Sequence, residues 1–162
     1  MYLLTITLTM LFLPLGSIAA EWALTAPAPS LLLLTGKWFV FWAVGVRLVL
    51  AGLRQVAAPD FTARAIFRIE LPEALPLVRE LGFANLAAGV LGIVSLAWPS
   101  FVLPAAIWGA LFLGAAGVMH ARRAGRSRNG TVAMVSDLFV ALVLAGYVLT
   151  MLMLVVTLEE MR

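Results

Sequence analysis

Residues 131–158 read TVAMVSDLFVALVLAGYVLTMLMLVVTL, and within that stretch Asp137 is the single charged residue. A helix needs about 20 mostly apolar residues to cross the hydrocarbon core of a bilayer. This segment exceeds that length. Four more segments of the same kind precede it, at about residues 2–22, 37–57, 80–98 and 103–120. The whole chain has 162 residues, of which 64% are hydrophobic and only 12% charged, with a mean hydropathy of +1.08. Soluble domains carry roughly 25% charged residues. Too little polar surface exists here to cover a water-soluble globule. The reading is an all-α membrane protein, a single domain of five spans over residues 1–162.

The connections support that division. Ala26-Pro27-Ala28-Pro29-Ser30 is a stiff link, because neither proline can donate to a helix. Residues 60–79 mix Ala63, Ile66, Phe67 and Ile69 with Arg64, Arg68 and Glu70, a spacing that predicts a short amphipathic helix in the interface. Trp98-Pro99-Ser100-Phe101 carries no charge and predicts a tight hairpin between spans three and four. The start of span two holds Trp38, Phe39, Phe41 and Trp42, the residue types of an interfacial aromatic belt. The first span has a small-residue run, Ser17-Ile18-Ala19-Ala20, of the kind that ends a cleaved leader. Its start, Met1-Tyr2-Leu3-Leu4-Thr5, has no Lys or Arg, whereas a secretory leader begins basic. Retention as a span is expected.

Charge orients the bundle. Five spans place Arg54, Arg64, Arg68, Arg79, Arg122, Arg123, Arg126 and Arg128 on one side, and only Lys37 and Arg162 on the other. Positive loops face the cytoplasm. In the cell's inner (plasma) membrane, the N-terminus is expected on the cytoplasmic side and the C-terminus outside, periplasmic or extracellular. The isoelectric point near 10.2 therefore reflects topology and does not point to nucleic acid. The loop Arg122, Arg123, Arg126, Arg128 is first a topology signal. It is also able to hold anionic headgroups, at about 1 kcal/mol per basic residue near the surface.

Association of helices in lipid relies on close backbone approach through small residues. Ala84, Ala88 and Gly92 in span three and Ala106, Ala110 and Gly114 in span four recur at four-residue spacing. Across so short a connection they are predicted to face each other.

Ionisable residues inside a span are costly and mark pairing or function. Arg47 lies seven residues in from Arg54, about 10 Å deep at 1.5 Å per residue. Asn85 is about 7–8 Å past Glu80, and Asp137 about 9 Å past Thr131. With His120 closing span four, Arg47, Glu80, Asn85, His120 and Asp137 are predicted to share one layer in the arginine-rich half. Arg47 has two carboxylate candidates, Asp137 first and Glu80 second, and a bidentate pair is expected. Alternatives stay open for each. Arg47 is long enough to snorkel. An Arg47–Asp137 pair either locks the bundle or serves a polar ligand or proton relay. Glu80 has a capping role available at a helix start. Asn85 has a purely interhelical one.

Absences narrow the chemistry. There is no cysteine and one histidine, so thiolate nucleophiles, disulfides, a poly-His metal site and bis-His haem are excluded within one chain. No phosphate loop, G-x-S-x-G or H-E-x-x-H motif is present. No catalytic residue, metal site or cofactor is predicted, and enzymatic action is not expected.

The stretch from Gly45 to Leu144 resembles the DoxX-like small bacterial membrane proteins. The resemblance lies in Gly45-Val46-Arg47-Leu48-Val49-Leu50-Ala51-Gly52-Leu53 with Pro59-Asp60-Phe61, in Pro76 to Gly92, in Gly117-Val118-Met119-His120 and in Ser136-Asp137-Leu138-Phe139. Within that group it looks most like a branch of unknown function. The resemblance implies a four-helix transmembrane bundle, to which the first span is an addition, and a setting among quinone-linked, redox or chaperone partners. It carries over no site residue. Three functions are weighed. The first is a non-enzymatic accessory or assembly subunit of an inner-membrane complex, with a membrane-protein partner or a second copy. The second is binding of quinone or lipid at the polar layer. The third, transport, ranks last, because the outer half offers almost no polar lining.

Overall fold

The computed structural model describes residues 2–161, and among them there is no strand. Five helices are long and apolar enough to cross a membrane: α1 (Leu3–Leu24), α2 (Leu31–Ala57), α3 (Ala74–Val94), α4 (Pro99–Arg122) and α5 (Arg128–Glu160). The protein is an all-α, multi-pass membrane protein. Helices suit this solvent because each satisfies its own backbone donors and acceptors where no water can.

Several boundaries fall outside the sequence-based spans. α2 starts at Leu31 rather than Lys37 and α3 at Ala74 rather than Glu80. Pro76 is accommodated in the first turn of α3, where a missing N–H removes no bond. α5 starts at Arg128 because Ser127 caps it, its Oγ accepting from Gly130 N at 3.0 Å. At 33 residues, α5 is about 50 Å long. That exceeds the roughly 30 Å hydrocarbon core. Leu149, Leu152, Met153 and Leu158 near its far end are exposed.

Two helix runs carry π-helical turns, at Leu8–Phe12 in α1 and Val40–Val46 in α2. The two turns lie against each other. The connection after α2 also contains one, Phe61–Ile66. It lies where the sequence predicts a short helix between spans two and three. Thr62 and Ala63 within it are buried, and the segment packs on α3 and α5. Hydrogen bonds hold it there: Ser127 Oγ donates to the Ala65 carbonyl at 2.7 Å, and Arg123 Nη1 to the Phe67 carbonyl at 2.7 Å.

The predicted pairing of α3 with α4 is also corrected. α3 packs mainly against α2, and α4 mainly against α5. The reason is the distribution of glycine. Gly82, Gly89 and Gly92 lie on the buried face of α3 and meet Gly52, Val49 and Gly45 of α2. A Cβ on Gly45 would stand 2.9 Å from the Gly92 carbonyl carbon, and one on Gly52 would stand 2.6 Å from the Gly82 oxygen. No side chain fits at these crossings. Ala88 and Gly92 are buried on this α2-facing side, while Ala84 is exposed. In α4, Ala106 is buried and Ala110 half-buried. The tight contacts there come from Gly109 against Val44 and Leu144, and from Gly117 against Leu138. Gly114 is looser, at 3.6 Å from the Ala141 Cβ.

The core between these pairs is Val40, Ala43, Val44, Leu48, Ala106, Leu113, Val140 and Leu144. α1 is fastened to α2 by polar contacts. Glu21 accepts from Lys37 Nζ at 2.7 Å and from Trp38 Nε1 at 2.7 Å. Trp42 Nε1 donates to Ser17 Oγ at 3.0 Å. The aromatic belt residues Trp38 and Trp42 thus spend their N–H groups on α1.

Candidate functional site

Arg47 follows the π-helical turn of α2 and is only 8% exposed. Its Nη2 donates to Asp137 Oδ1 of α5 at 2.5 Å. The side chains are 10% and 5% exposed, so Arg47 does not snorkel to the interface. The expected bidentate pairing is not made: Nη2 alone reaches the carboxylate, and Arg47 Nε is buried without a partner.

Asn85 of α3 is buried, and its Nδ2 donates to Gln55 Oε1 of α2 at 2.7 Å. Asn85 Oδ1 has no partner. Exchanging the two amide orientations together would move the vacancy to Nδ2 without filling it. Gln55 was not singled out from the sequence. Its signal was available: Arg47, Leu48, Gly52 and Gln55 fall on one helical face, and all four are buried.

His120, buried near the end of α4, places its ring 5.9 Å from that of Phe67. Arg47, Asn85, His120 and Asp137 line one cavity of about 1070 Å³, together with Gln55. Its apolar wall includes Leu48, Leu50, Leu53, Phe112 and Leu113. Leu3 and Ile6 of α1 also border it, so the first helix closes one side of the site.

Glu80 is not part of the layer. It is exposed and does not line the cavity. Its height along α3 is suitable, but five residues at 100° each place it about 140° around the helix from Asn85. The inward stripe of α3 is Val78, Gly82, Asn85, Gly89 and Gly92.

The arginine loop divides in two. Arg126 Nη1 donates to the carbonyls of His120, Ala121 and Arg123 at 3.0, 2.6 and 3.2 Å, closing the C-terminal end of α4. Arg123 is bound to Phe67. Arg122 and Arg128 remain exposed, and Arg128 borders the cavity. Among the described residues, no group of three or more metal-ligating side chains converges.

The model for a family of unknown function, DUF6790, matches residues 3–161. The chain belongs to the DUF6790 family. The match takes in α1 together with the four helices after it, so every residue of the cavity wall lies within the DUF6790 segment. No curated protein and no solved structure matches the chain.

Proposed function

We propose that this DUF6790 protein binds an amphiphilic small molecule, a lipid or quinone, with its polar head in the cavity around Arg47 and Asp137. The observation that carries this is that Arg47 and Asn85 both line a cavity of about 1070 Å³ and each keeps a buried polar atom, Nε and Oδ1, without a partner. A buried unpaired polar group costs roughly 1–3 kcal/mol. A ligand with an oxygen head and an apolar tail, drawing these side chains round by a small rotation, removes that cost. Catalysis is not part of the proposal. We also place the arginine-rich end in the cytoplasm of a cell whose plasma membrane the protein spans, from the loop charges. Kinship with the DoxX-like bundles belongs to the same proposal and rests on the runs around Arg47, Asn85, His120 and Asp137.

The test is mass spectrometry of the purified protein in mild detergent. Wild type is expected to retain one amphiphile above the background of annular lipid. Arg47→Ala and Asn85→Ala should lose it, and Glu80→Ala should keep it. Identical ligand content in all four proteins would refute the site.

An accessory-subunit role has a separate support. Ala84 and Ala87 are small residues left exposed on the outer face of α3, where a partner helix can approach closely. Solubilisation in several mild detergents tests it. A co-purifying membrane protein that Ala84→Leu removes supports this role, and a lone monomer in every detergent refutes it.

A further inference from the structure

The cavity wall is unevenly charged. Three arginines, Arg47, Arg54 and Arg128, line it against one carboxylate, Asp137. Three minus one leaves a net charge of +2 with His120 neutral. Asp137 is already occupied by Arg47. The charge left over therefore sits on Arg54 and Arg128.

These two stand on different helices, α2 and α5, and both are exposed, so they mark the rim where the cavity opens. The Arg54 guanidinium carbon lies 3.7 Å from the centroid of the Phe61 ring. That contact engages the face of the cation and not its N–H donors. Arg128 is the first residue of α5, a helix of 33 residues. The positive end of its dipole favours an anion at the same rim, with Gly130 N already held by the Ser127 cap. Below the rim is Arg47, a lining residue of the same cavity whose Nε is buried and unpartnered. Beside it, Leu50 and Leu53 are 47% and 54% exposed on the outer side of α2, so an apolar wall runs from the polar floor toward lipid.

We propose that the ligand head is a phosphate-type anion with net negative charge, carrying no balancing cation, seated between Arg54 and Arg128. In a lipid ligand, an ester or hydroxyl oxygen then reaches Arg47 Nε, and the tail leaves past Leu50 and Leu53. This rests on the amphiphile-binding proposal and narrows it from a neutral quinone-like head to an anionic one. The same chemistry fits a free phosphate, and the experiment separates the two sources.

The full chain, purified in a neutral maltoside detergent, is titrated with dioleoyl phosphatidylglycerol or dioleoyl phosphatidylcholine, and bound lipid is read by native mass spectrometry. Wild type is expected to prefer phosphatidylglycerol by about 10- to 30-fold, the combined effect of two basic residues near the surface. Arg54→Ala/Arg128→Ala should bring the two lipids to parity. Arg79→Ala/Arg122→Ala, which removes two exposed arginines outside the cavity, should keep the preference. Failure of 10 mM inorganic phosphate to displace the lipid assigns the site to a lipid headgroup. Displacement by phosphate, together with direct phosphate binding in lipid-free detergent, assigns it to the free anion. Equal retention of both lipids by wild type overturns the proposal, as does a preference that survives Arg54→Ala/Arg128→Ala. A phosphorus-free amphiphile that wild type retains and Asn85→Ala loses would overturn the anionic head while leaving amphiphile binding intact. Absence of any retained amphiphile or phosphate would overturn both.

Discussion

Arg47 and Asp137 are 90 residues apart in the chain and form a buried ion pair that joins α2 to α5 across the bundle. α2 also packs on α3, and α5 on α4. The pair therefore ties together two helix pairs that otherwise meet through the apolar core, by contacts such as Val44 on Gly109 and Phe39 on Phe139.

Removing one member of such a pair leaves an uncompensated buried charge, which costs about 3–5 kcal/mol. Asp137→Ala is expected to lower the thermal unfolding temperature in detergent sharply. An apolar replacement of both partners, Arg47→Met/Asp137→Leu, should recover most of that loss while leaving the cavity without its charged floor. Equal melting of Asp137→Ala and wild type would mean that the pair contributes nothing to folding.

Asn85 and Gln55 permit a separation of stability from binding. Asn85→Leu alone strands the Gln55 amide and is expected to cost about 1–2 kcal/mol. Asn85→Leu/Gln55→Leu removes both polar groups from α2 and α3, so its melting temperature should return close to wild type. Ligand retention should be lost in both variants. Retention in the stable double variant would show that this amide pair serves packing alone.

The glycine crossings set a third expectation. Gly45→Leu or Gly92→Leu places a side chain where a bare Cβ already meets backbone, and should abolish the folded, monodisperse species in size-exclusion chromatography. Gly114→Ala meets only the Ala141 Cβ at 3.6 Å and should elute and melt as wild type. Indistinguishable behaviour of Gly92→Leu would contradict the α2–α3 contact.

Arg126 supplies a local test. Arg126→Ala frees the carbonyls of His120, Ala121 and Arg123 but also removes a buried, unpartnered Nε. The net effect on global stability should stay within about 1 kcal/mol. Hydrogen–deuterium exchange should rise in the last turn of α4 and the loop after it. Unchanged exchange there would show that the cap does not hold the helix end.

The five spans were legible because hydrophobic length is a property of sequence alone. Asp137 announced itself as the one charge in 28 residues. Depth was legible for the same reason, since counting residues from a helix end measures height. Counting from an end does not measure direction around the helix, which is why Glu80 entered the expected layer and turned out to face away. Direction needs a second reference point, and Gly82, Gly89 and Gly92 provide it for α3 only once their partner helix is known. The short connection at Trp98–Phe101 pointed to α3 against α4. Backbone contact through glycine outweighed that proximity, and Gly45 and Gly52 drew α3 to α2. The π-helical turns left no sequence signal, because Val40–Val46 is an ordinary apolar run. The arginine loop read as a topology signal able to hold anionic headgroups, whereas Arg123 and Arg126 bind carbonyl acceptors that only the folded chain assembles.

The central claim is that a bound head group satisfies Arg47 Nε and Asn85. The most direct measurement is a high-resolution density map of the protein purified in mild detergent with no lipid added. The expected result is continuous non-protein density in the cavity, with a polar feature about 3 Å from Arg47 Nε and a tail passing Leu50 and Leu53. A cavity holding only ordered water, or one closed by a turned Arg47 side chain that pairs Nε with Asp137, would contradict the account.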